Sequence, residues 1–146
     1  MHAEMRKCPR LSRLLDGLKS QFVVVRKLGQ GGFANVYEAW DRVSRLQVAL
    51  KVVVPLQDHS SCKTEYQYLK QYGGEEHNVI FPLHLPPCAP SGCFFARGDA
   101  TVLCLPYFEH DDPHTFIQGG LVASEIRTYL HGLFTALAHL HRAHLL

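Results

Sequence analysis

The chain has 146 residues, 47% of them hydrophobic and 19% charged, which supplies one ordinary domain core and excludes a disordered segment. Its 15 basic and 13 acidic residues leave a net charge of +2 and form no basic block, so neither a nucleic-acid arm nor an anionic-membrane patch is expected. No stretch approaches 18 apolar residues, and Met1-His2-Ala3-Glu4-Met5-Arg6-Lys7 precedes no apolar core with a cleavage site, so a soluble intracellular protein is expected.

Residues 9–19 begin at Pro9 and place Leu11, Leu14, Leu15 and Leu18 at helical spacing, the pattern of a flanking amphipathic helix. Two strand-like runs follow, Phe22 to Leu28 and Val36 to Trp40, with Gly29 and Gly31 between them. They read as a hairpin whose exposed amides can lie over phosphates. A dinucleotide-binding fingerprint would have to open a helix at this point, and Val36-Tyr37-Glu38-Ala39-Trp40 is too rich in β-branched and aromatic residues for that. The second strand ends near Asp41, Arg42-Val43-Ser44-Arg45 turns the chain, and a third strand spans Gln47 to Val54. Lys51 interrupts that apolar run, and a charge in the middle of a buried strand costs several kcal/mol unless it is paired.

Ser60 and Ser61 can cap a helix that runs to Tyr72 and stops at Gly73-Gly74. On it Cys62, Glu65, Tyr66, Leu69 and Tyr72 share a face, so Glu65 is expected to point inward and pair with Lys51. A second reading has Glu65 simply facing solvent near the helix N-terminus, where its charge is favourable. Val79 to Leu85 and Thr101 to Leu105 read as two more strands, joined by a surface loop over Pro86-Pro87-Cys88-Ala89-Pro90-Ser91-Gly92. Arg97-Gly98-Asp99 reads as a turn, and Pro106-Tyr107-Phe108-Glu109 as a connector leaving the last strand.

From Glu125 onward Ile126, Tyr129, Leu130, Leu133, Phe134, Leu137, Leu140 and His141 form one helical stripe. Leaving six such apolar side chains uncovered would forfeit about 10 kcal/mol, comparable to a domain's whole stability, so the chain reads as a piece of a larger unit unless this helix folds back. Cys8, Cys62, Cys88, Cys93 and Cys104 are odd in number and contain no CxxC pair, which favours free reduced thiols over disulfides or zinc. His139, His141 and His144 lack a companion carboxylate or cysteine and are expected to face solvent.

Glycine hairpin, strand lysine, inward helix glutamate, five strands, connector and long helix resemble, in that order, the N-terminal half of a protein kinase domain. Ala49-Leu50-Lys51, the 14-residue step from Lys51 to Glu65, Gly73-Gly74 before Asn78-Val79, Pro106-Tyr107-Phe108-Glu109-His110 and Glu125-Ile126-Arg127-Thr128-Tyr129-Leu130 resemble the cell-division-cycle kinase that starts DNA replication with a Dbf-type activator subunit. The resemblance covers residues 20–146. It implies an α+β fold: a kinase-like N-lobe with a five-stranded antiparallel sheet and one helix, followed by the first helices of an incomplete helical C-lobe. The expected organisation is a flanking helix over 1–20, N-lobe and hinge over 21–109, and the start of the C-lobe over 110–146.

By the same resemblance, Leu28, Val36 and Ala49 would sandwich adenine, and the amides of Gly29, Gln30, Gly31, Gly32, Phe33 and Ala34, with Asn35 beside them, would cover the phosphates of ATP. Lys51, held by Glu65, would grip the α- and β-phosphates. Leu105 would guard the back of the pocket, while the Pro106 carbonyl and Phe108 amide would hydrogen-bond the adenine edge. Ala34 stands where the general pattern has a third glycine, which stiffens the loop, and residues 86–92 look like an insertion. The catalytic base, both Mg2+ ligands and the activation segment match nothing in residues 1–146, so phosphate transfer by this chain alone is not expected. The implied partners are ATP, a Dbf-type activator and replicative-helicase substrates in the nucleus, with neither direct nucleic-acid contact nor membrane. The competing expectation is a non-catalytic binding module that engages a regulatory subunit.

Overall fold

Three runs rich in β-branched and aromatic residues open the part of the chain that the computed structural model describes, namely residues 20–53, 60–83, 94–97, 100–110 and 113–145. All three are strands: β1 (Phe22–Gln30), β2 (Ala34–Asp41) and β3 (Gln47–Val53). Such side chains suit a pleated, half-buried surface. A helix α1 (Ser60–Tyr72) follows, then a 3-10 turn (Glu75–His77), strands β4 (Phe94–Arg97) and β5 (Ala100–Pro106), a short helix α2 (Pro113–Gln118) and a long helix α3 (Ala123–Arg142).

The strands form one antiparallel sheet in the order β1-β2-β3-β5-β4. Register is fixed by the alternation of side chains, because a one-residue slip would turn every apolar group to the wrong face. Phe22, Tyr37, Ala39, Val48, Leu50, Val52, Val102 and Cys104 form the core on one face. Ala49, Leu103 and Leu105 form a second cluster, against which Leu28, Val36, Val53, Tyr66 and Leu69 pack. Tyr66 and Leu69 come from α1, so the helix lies against this second face.

The fourth strand is not where the sequence pattern put it. Val79 contributes a single bridge to Gly74, residues 80–83 are irregular, and the strand is Phe94–Arg97, paired with β5 from Phe94↔Leu103 to Arg97↔Ala100. Pro82, which has no amide to donate, sits inside the expected run. Leu83 still reaches the sheet, where its amide donates to the Cys104 carbonyl at 3.0 Å and its side chain joins the core. Pro106 closes β5 instead of starting the connector, paired with Val48 beyond the last residue that β4 reaches. The expected flanking helix over 9–19, the loop at 86–92, and the side chains of Ser60, Ser61 and Cys62 lie outside the described residues.

Helix α1 ends where expected, for a different reason. Gly73 does not take up the left-handed conformation of a helix-capping glycine. Instead the backbone crosses it so closely that a Cβ would lie 2.4 Å from both the Leu69 and Ile80 carbonyl oxygens. Helix α3 meets this corner: the His77 and His139 rings stack with centroids 3.6 Å apart, and His139 Nε2 lies 3.1 Å from the Tyr72 carbonyl oxygen. His139 therefore does not simply face solvent as its sequence context suggested. The apolar stripe of α3 is open over its first half, with Leu130, Leu133, Ile126, Phe134 and Tyr129 between 39% and 62% exposed, while Leu137 and Leu140 are half-buried.

Candidate functional site

Antiparallel pairing places Val36 opposite Lys51 and Ala34 opposite Val53, so these four side chains project from one face beneath the β1–β2 hairpin. The hairpin is closed by a 2.8 Å hydrogen bond from the Gly31 amide to the Ala34 carbonyl. Below it lies a cleft of about 430 Å³, lined by Gly31, Gly32, Phe33, Ala34, Val36, Lys51, Val53 and Glu65. Lys51 Nζ donates to Glu65 Oε1 at 2.5 Å across this cleft, joining β3 to α1. The pair is less buried than the apolar sequence around Lys51 suggested. Leu50 and Val52 are fully buried on the far face, whereas the Lys51 and Glu65 side chains retain 28% and 36% of their exposure because both open onto the cleft. An ammonium fixed in this way keeps donors free for a second anion.

Gly31 and Gly32 have ordinary φ angles, and a Cβ on either would meet no protein atom closer than 3.8 Å. Neither turn geometry nor internal packing therefore demands glycine there. The absence of side chains instead leaves bare main chain at the roof of the cleft, the arrangement that lets a backbone approach an anion closely, although the Gly31 amide is itself engaged by the Ala34 carbonyl.

Along the same face, away from the hairpin tip, Leu28, Val36, Ala49 and Leu105 form an apolar shelf, with Ala49 paired to Leu105. The connector runs past its end, where the Phe108 side chain is exposed and its carbonyl contacts His110 Nδ1 at 2.7 Å. The structure thus brings Lys51, Glu65, the tip of the glycine hairpin and the apolar shelf onto one face. Gly29 and Gln30 belong to β1, where Gln30 accepts from Lys27 Nζ at 2.5 Å, and Asn35 Oδ1 is buried without a hydrogen-bond partner. None of these three lines the cleft.

A second polar cluster escaped the sequence reading. Glu38, two residues along β2 from Val36, is only 5% exposed, and both its oxygens are engaged. Oε2 accepts from Arg26 Nε at 2.6 Å and Oε1 from Gln47 Nε2 at 2.7 Å. Arg26 also donates from Nη2 to the Tyr107 hydroxyl at 3.0 Å. Burial alone would push the Glu38 carboxyl up, but hydrogen bonds from Gln47 and Arg26, the Arg26 charge and the Tyr107 hydroxyl together hold it below its ordinary range. The alternation of Val36 and Glu38 on one strand face was the available signal; the partners are too far apart in sequence to be seen from it.

Residues 22–146 match the model of the protein kinase domain. The chain belongs to the protein kinase domain family. This kinase chain is 33% identical over 129 residues to "Probable cell division control protein 7 homolog 2" of Encephalitozoon cuniculi, an alignment covering 88% of the chain and 34% of that protein. It is 30% identical over 135 residues to the mouse "Cell division cycle 7-related protein kinase", covering 90% of the chain and 22% of the relative. The chain therefore spans about a third or less of the length of these relatives. A crystal structure of a kinase domain superposes on it with a TM-score of 0.69 at 21% identity, covering 85% of this chain and 36% of that one, and supports the fold.

Proposed function

We propose that this chain is the nucleotide-holding part of a serine/threonine protein kinase of the cell-division-cycle type, and that its cleft takes ATP. The observation that carries this reading is the Lys51–Glu65 pair beneath the glycine hairpin. Phosphoryl transfer depends on positioning and neutralising phosphate oxygens, and a lysine oriented by a carboxylate does both. The amides beyond Gly31, at Gly32, Phe33 and Ala34, would cover the phosphates. Leu28, Val36, Ala49 and Leu105 would enclose the base, and the Pro106 carbonyl and Phe108 amide would read its edge. Magnesium bound with ATP would supply charge neutralisation at the phosphates, and the resemblance assigns none of its ligands to residues 1–146. Similarity to proteins named for cell division cycle 7 extends the proposal to Ser/Thr in acidic contexts on the replicative helicase, a Dbf-type activator subunit and a nuclear location.

Calorimetry of the full chain with magnesium-ATP tests the site. Weak binding is expected, and Lys51→Ala should weaken it a further ten- to hundredfold, roughly the effect of one charge-assisted hydrogen bond. Tight binding that survives Lys51→Ala would refute the role of Lys51. In the same preparation, failure to retain a Dbf-type subunit in a pull-down would remove the proposed activator.

A further inference from the structure

We infer that Arg26, Glu38, Gln47 and Tyr107 form a clamp that ties β1 of the glycine hairpin to the connector and thereby fixes where the connector meets the edge of the nucleotide base. The inference rests on the nucleotide reading of the cleft and adds positioning residues to it.

Four elements meet at the cluster. Glu38 lies opposite Arg26 on β1 and Ala49 on β3, while Gln47 lies two residues before Ala49, so the group occupies the same sheet face as Lys51 and the shelf, at the end nearest the connector. Arg26 precedes the shelf residue Leu28 by two positions, and Tyr107 follows the shelf residue Leu105 by two. A guanidinium that donates to the Glu38 carboxylate and the Tyr107 hydroxyl at once therefore ties β1, at the near end of the shelf, to the connector that borders the shelf's edge. The planar fork of arginine is what permits two bonds in fixed directions; lysine offers a point charge on a flexible stem. Glu38 anchors the bridge because, buried and held also by Gln47, it has little freedom to follow a moving partner.

The clamp makes a prediction that simple neutralisation of Glu38 does not. Arg26→Lys keeps a cation beside the carboxylate but cannot also reach Tyr107 with fixed geometry, and Tyr107→Phe removes only the hydroxyl. Both variants of the full chain should weaken adenosine about three- to tenfold, the range of one hydrogen bond, and leave inorganic tripolyphosphate unchanged, whereas Lys51→Ala weakens tripolyphosphate. Hydrogen exchange of ligand-free protein supplies a second readout: connector amides 107–110 should exchange faster in both variants while those of α1 keep their rates. Adenosine affinity and connector exchange that stay at wild-type levels in either variant overturn the clamp. A wild-type chain that binds neither adenosine nor tripolyphosphate overturns instead the nucleotide reading beneath it.

Discussion

Asp41 is a residue whose local chemistry the turn after β2 depends on. Its buried carboxylate accepts from the Val43 amide at 3.3 Å, the Ser44 amide at 3.0 Å and the Ser44 hydroxyl at 2.5 Å. Burial by itself would raise its pKa, but the Ser44 hydroxyl and the Ser44 and Val43 amides outweigh it and hold the group below its ordinary value of 3.8. A carboxyl depressed on folding contributes stability that is complete above its unfolded pKa and is lost as pH falls through the folded one. Asp41→Asn should therefore cost about 1 kcal/mol in urea unfolding at pH 7, with the gap to wild type narrowing below about pH 4. A gap that stays constant down to pH 2 would show that ionisation of Asp41 contributes nothing. Glu38 is depressed in the same direction, so acid weakens the clamp and the turn together.

Among the elements, the hairpin and its neighbour were legible because they need only local information. β1 to β3 carry their strand character in β-branched and aromatic runs, and α1 ends at its glycines. The Lys51–Glu65 pair was legible less directly: Val48, Leu50 and Val52 face away from Lys51, so the apolar run overstated its burial, and only the inward face shared with Tyr66 and Leu69 favoured Glu65 as partner over a solvent-facing glutamate. The fourth strand was misread because Val79-Ile80-Phe81 is as apolar as a strand while Pro82 and the crossing at Gly73 prevent pairing, and Phe94–Arg97 is too short to stand out. This crossing gives a contrast between adjacent glycines. A Cβ on Gly73 would strike backbone atoms on two sides, whereas one on Gly74 meets only the movable Glu76 carboxylate at 2.7 Å. Gly73→Ala should destabilise by about 2–3 kcal/mol and Gly74→Ala by clearly less, measured by urea denaturation. Equal costs would mean that the corner relaxes more readily than its geometry implies.

At the scale of the whole molecule, α3 is anchored by the His77–His139 stack and the Tyr72 carbonyl, while its apolar stripe faces outward. A contiguous face of this kind seeks a partner, and in concentrated solution another copy is the nearest one. The chain should sediment as a mixture of associated species, and replacing Leu133 and Phe134 together by glutamate should shift it toward monomer. A wild-type chain that is cleanly monomeric would show the stripe to be covered in solution. The clamp belongs to this scale as well: residues 26, 38, 47 and 107 converge only once the sheet is assembled, so no window of sequence could reveal them.

The register of β1 against β2 slips between Val24 and Arg26 and again between Lys27 and Gly29. Arg26 and Lys27 thus form a short rung between two dislocations, and a ribbon is bent and more strongly twisted at such faults. The outer tip with its glycines therefore leaves the line of the strand below it, and the direction in which it leans over the cleft is set at the rung that Glu38 pins.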